Sequence, residues 1–142
     1  WLFYGLISFV IVGKAMFSAQ GAMYLVNSFV FTLCALTMAF LISSIFNNKE
    51  AVNGIVNVVA LGSAFLCGAF IPVEWLPDGV LAVGRIFPAY WYIQTNEYLK
   101  TLETVSVSGL KPVFINMLVM AGYGVFYIIV ANIVSAKKRV VA

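Results

Sequence analysis

The sequence predicts an all-α membrane protein, a helical transmembrane bundle with a re-entrant or interfacial helical hairpin before its last span. Three observations carry this. Of 142 residues, 63% are apolar and 9% charged, against about 45–50% and 25% in soluble domains. The charges cluster, so residues 15–48, 51–73 and 112–136 contain no Asp, Glu, Lys or Arg. Each run can supply the roughly 20 residues that cross a hydrocarbon core. Lastly, residues 68–99 are too apolar for an ordinary loop and too often broken by proline to span.

Taken in order, Trp1–Val12 is apolar from its first residue but covers only about 18 Å of a core roughly 30 Å thick. It reads as the exit half of a helix whose beginning is missing. Lys14 follows this run, whereas a signal peptide carries its charge before the apolar stretch. Full spans are expected at about 22–46, 53–72 and 112–136. Asn47-Asn48-Lys49-Glu50 reads as a tight polar turn between the first two, and Pro112 suits the first turn of the last.

Small residues recur at helical spacing on each span. Ser28, Thr32, Ala35, Ala39 and Ser43 share a face of the first. Ala60, Ser63, Ala64, Cys67 and Gly68 share one on the second, and Ala121, Gly124, Ala131 and Ser135 one on the last. In lipid such faces mark close helix–helix approach. Cys34 and Cys67 read as small packing residues.

In the segment 68–99, Pro72, Pro77 and Pro88 each disfavour helix in the residue before. Between Pro77 and Phe87 there is room for about three helical turns, half the hydrocarbon depth. Trp75, Phe87, Tyr90, Trp91, Tyr92 and Tyr98 are aromatics suited to the membrane boundary. A hairpin over 73–99 that dips into the outer leaflet fits, either as a cap on the bundle or as a gate on a substrate path. Val83 and Phe87 are then shielded from water, and Ser106 and Ser108 hydrated. Arg85, inside this stretch, either snorkels to the surface or is neutralised by Glu74, Asp78 or Glu97.

Basic residues set the orientation. Lys137-Lys138-Arg139 abuts the last span and points to a cytoplasmic C-terminus. Lys49 is then inside, whereas Lys14, Arg85, Lys100 and Lys111 lie outside at much lower density. No basic stripe remains to follow a phosphate backbone, so nucleic acid is not an expected partner.

Chemistry is sparse. The chain has no histidine, so no Ser–His or Cys–His nucleophile pair can form. Its one aspartate, Asp78, falls in the hairpin. It has neither a phosphate-binding glycine loop nor the spacing of a metal site. The expected spans hold no charge, only Asn27, Asn57, Asn116, Asn132 and hydroxyls. Those groups can bond between helices or line a path but cannot carry a proton.

A span ending Gly68-x-x-x-Pro72, then Leu76-Pro77, then Pro88 and Tyr90, resembles the last third of an ABC-2 type transporter permease. The resemblance implies that residues 1–142 form the C-terminal part of one such transmembrane domain, ending with its fourth, fifth and sixth helices. It further implies a multi-pass exporter subunit in the cytoplasmic membrane of a bacterium. ATP would be bound and hydrolysed on a partner domain, separate or fused, with no cofactor on this chain. A second permease half and the lipid bilayer complete the expected partners. An ion-coupled transporter and a non-transporting membrane scaffold remain the alternatives.

Overall fold

The computed structural model describes residues 1–102 and 109–141; Ser106 and Ser108 lie outside the described residues. Every regular element among the described residues is helical. The α-helices are α1 (Leu2–Val12), α2 (Ala19–Ile45), α3 (Lys49–Cys67), α4 (Asp78–Gly84), α5 (Pro88–Thr101) and α6 (Lys111–Val141). Short 3₁₀ turns cover Gly13–Phe17 and Val73–Trp75. Three helices, α2, α3 and α6, are long and apolar enough to cross a membrane.

Local chemistry sets the boundaries. Ser18 accepts a bond from the Gly21 amide at 3.1 Å and so caps α2. Asn48 does the same for α3, accepting from the Glu50 amide at 2.8 Å. Lys49 and Glu50 thus form the first turn of α3, where the sequence suggested a four-residue turn. Glu50 gains there from the positive end of the helix dipole. At its other end α3 stops at Cys67, five residues before Pro72, because Gly68 turns left-handed at φ 89°. The Gly68 and Ala69 amides close back on the Ala64 carbonyl.

The core lies between α2, α5 and α6. Leu99, Val113 and Met120 are fully buried, with Met23, Tyr24, Phe31, Trp91 and Tyr92 packed against them. Helix α6 runs parallel to α2. Gly124 faces Cys34 and Thr37, and Lys138 meets the end of α2 at Ile45. The Lys138 ammonium donates to the Ile45 carbonyl at 2.9 Å and to Asn47 Oδ1 at 2.8 Å. A cation therefore sits where the negative ends of two helix dipoles meet. Elsewhere large apolar side chains such as Leu61, Phe65, Leu118 and Phe126 face outward, as a lipid environment allows.

Helix α3 is held differently. It meets the rest of the chain chiefly at its C-terminal end, through α4 and α5. Cys67, Ala89 and Tyr90 make a second small core there with Leu66, Leu81 and Phe87. Gly84 permits this docking: a Cβ on it would lie 2.7 Å from the Leu66 carbonyl oxygen.

Candidate functional site

Residues 68–101 form a connector and a two-helix hairpin. Pro72 precedes the 3₁₀ turn Val73–Trp75, Leu76 follows it, and Pro77 caps α4. At Gly68 a side chain would come within 2.6 Å of Val73 Cγ2, so the reversal out of α3 needs both its φ and its bareness. Pro88 opens α5 at a position where a missing N–H costs nothing. The sequence pointed to a short helix after Pro77. The descending arm α4 has only seven residues, and the longer arm is the fourteen-residue α5, which carries Tyr90, Trp91, Tyr92 and Tyr98.

A ladder of side-chain bonds fixes α5 antiparallel to α2. Gln20 donates to the Leu99 carbonyl, and the Tyr24 hydroxyl to the Asn96 carbonyl at 3.3 Å. Asn27, fully buried, donates to the Tyr92 carbonyl at 3.1 Å and to Asn96 Oδ1 at 2.9 Å. From the far side Asn116 of α6 donates to Thr95 Oγ1 at 3.1 Å. One rung lower, Phe31 stacks on Tyr92 with ring centroids 4.6 Å apart. Phe31 lies about 18 Å along α2 from Ala19, so the hairpin tip at 84–88 reaches well down the bundle.

Gln20, Tyr24, Thr95 and Asn96 escaped the sequence reading. The signal was present, since residues 20, 24 and 27 repeat at helical spacing on an otherwise apolar run.

Below the tip, α2, α3 and α5 enclose an apolar cleft of about 340 Å³. Ala35 and Ala39 line it from α2, Ala60, Ser63 and Ala64 from α3, and Phe87, Pro88 and Tyr92 from the hairpin. On the same helices, Ser28 accepts from Trp1 Nε1 at 2.9 Å, Thr32 donates to the Ser28 carbonyl, and Ser43 is exposed. Gly124 and Ala131 belong to α6, and Ala131 is fully buried. The remaining face of α3 carries Asn53 and Asn57, one turn apart, exposed and bonded to no described residue.

The charged residues of the hairpin divide into two sets. Lys100 pairs with Glu97 at 2.5 Å, and that hydrogen bond raises the Lys100 pKa above its ordinary value. Arg85 pairs with none of Glu74, Asp78 and Glu97. Its guanidinium lies 5.9 Å from the centre of the buried Tyr90 ring, and its carbonyl accepts from Trp91 Nε1 at 3.2 Å.

A family model described as ABC-2 type transporter matches residues 1–96. No curated protein and no solved structure matches the chain.

Proposed function

Since the chain belongs to the ABC-2 type transporter family, a component of membrane transport not itself catalytic, we propose that it forms part of the substrate path of an ATP-driven exporter. It is a multi-pass membrane protein, and family members of this kind work with ATP-binding partners. In the proposed assembly two permease halves and two ATPase domains work together in a bacterial cytoplasmic membrane, with the C-terminus of α6 on the cytoplasmic side. ATP is held by the partner domain. Gly68, Pro72, Leu76, Pro77, Pro88 and Tyr90 shape the hairpin that closes the outer end.

The observation that carries this reading is the bare carboxamide face of α3. Two asparagines on a membrane span without partners are costly against lipid. Their side chains are accommodated where that face meets water in a path or another protein element. The spans carry no acidic group apart from Glu50 at the first turn of α3, which favours an external source of energy over ion coupling.

Proteoliposomes of the whole transporter test this. Efflux should depend on ATP and persist when an uncoupler collapses the proton gradient. Loss of efflux with ATP hydrolysis intact would overturn the reading in favour of ion coupling.

A further inference from the structure

Arg85 is a permanent cation at the tip of a hairpin that descends between spans, and no acidic residue among those described neutralises it. Its backbone is fixed on both sides. Gly84 is pressed against the Leu66 carbonyl of α3, and the Arg85 carbonyl accepts from Trp91. The side chain is exposed and lies by the Tyr90 ring, and its chain neighbours Val83 and Ile86 also expose apolar side chains. With the hairpin set into the membrane, a guanidinium at its tip needs a counter-charge, and an unneutralised one there is by default a binding group.

We propose that Arg85 binds the phosphate of an amphiphile whose apolar part lies along Val83 and Ile86. The planar fork of arginine matches phosphate oxygens two at a time, which a lysine does not reproduce. Tyr90 holds the guanidinium by its ring face without consuming the N–H donors that the phosphate takes. The same chemistry is offered by a bilayer lipid headgroup, by a transported phosphate amphiphile and by free phosphate. The proposal rests on the membrane placement of the hairpin, but not on ATP as the energy source, so it stands or falls separately from the exporter reading.

The test is a binding titration on the whole protein in an uncharged detergent, read by tryptophan fluorescence through Trp91 beside the site. The probes are dioctanoyl phosphatidic acid, dodecyl phosphate, inorganic phosphate and, as the neutral control, dioctanoylglycerol. Phosphatidic acid should bind at least tenfold more tightly than dioctanoylglycerol. R85Q should abolish that preference, and R85K should keep only part of it.

Dodecyl phosphate binding as well as the diacyl probe would support a site for phosphate amphiphiles in general, and much weaker binding would support a bilayer lipid. Inorganic phosphate matching both would show that the apolar flank contributes nothing and would overturn the amphiphile. Equal affinity for dioctanoylglycerol, or an R85Q protein of unchanged preference and unchanged helical circular dichroism, would overturn the site itself. Should R85Q lose its helical signal, the same titrations on R85K decide: an undiminished preference in that variant overturns the bidentate recognition.

Discussion

Helices α3 and α6 are both apolar spans, yet they are held in opposite ways. Along α6, Val113, Met120 and Ala131 are each fully buried against α2 and α5, and Asn116 is bonded to Thr95. Along α3 only Cys67, at the very end, is buried. The two carboxamides of α3, Asn53 and Asn57, are exposed and bonded to no described residue. Hydropathy therefore decides which segments enter the membrane, while the placement of a few polar and small residues decides which of them pack. The structure has a fixed three-helix part and one span attached at its ends, by Gly84 at one and by the turn under Lys138 at the other.

The sharpest way to break this contrast is G84L. It forces a side chain into the Leu66 carbonyl, an overpacking that costs about 1–3 kcal/mol or more. Hydrogen exchange should then rise along α3 while α2 and α6 keep their protection; a uniform rise would erase the distinction between the two parts. N27L acts on the fixed part. Losing its two bonds to α5 should cost about 1–2 kcal/mol, read as a lower unfolding temperature in micelles.

K138M removes a cation from two helix C-termini, a loss of about 0.5–1 kcal/mol. Its exchange signature should be confined to residues 45–49. Smaller still is E97Q, because the Glu97–Lys100 pair is exposed on both sides and such pairs add little. Its sign with pH follows from the raised lysine pKa. Any contribution is present below the ordinary lysine value near 10.4 and lost as pH climbs through the raised one. Wild type and E97Q should therefore converge in strong alkali, as they also do in acid, where a protonated Glu97 is as neutral as glutamine. Last comes N53L/N57L, which should leave the unfolding temperature of this chain unchanged while abolishing efflux by the assembled transporter.

Much of the fold was legible because its causes are local. Runs without charge located α2, α3 and α6, and Pro88 marked the start of α5. The shared helical face of Ala35 and Ala39, and that of Ala60 and Ala64, was equally readable. That the two faces border a cleft was not, because the gap depends on how Gly84 seats the hairpin against Leu66. The same holds for the α2–α5 ladder. Its acceptors include the backbone carbonyls of Tyr92, Asn96 and Leu99, which carry no residue-specific signal. For Arg85 the sequence offered three possible carboxylate partners, and pairing distance could be decided only in three dimensions.

The hydrogen bonds that close the bundle also impose an order on its making. Asn27 and its partner carbonyl at Tyr92 are 65 positions apart, and Ile45 and Lys138 are 93 apart. At about 5–20 residues per second, the ribosome supplies Lys138 roughly 5–20 s after Ile45. Throughout that interval the last carbonyl of α2 waits without the ammonium that binds it, whereas the Asn27 amide meets its partners once α5 is made. A nascent chain halted before α6 therefore keeps the α2–α5 ladder but lacks the closure at Ile45 that Lys138 provides.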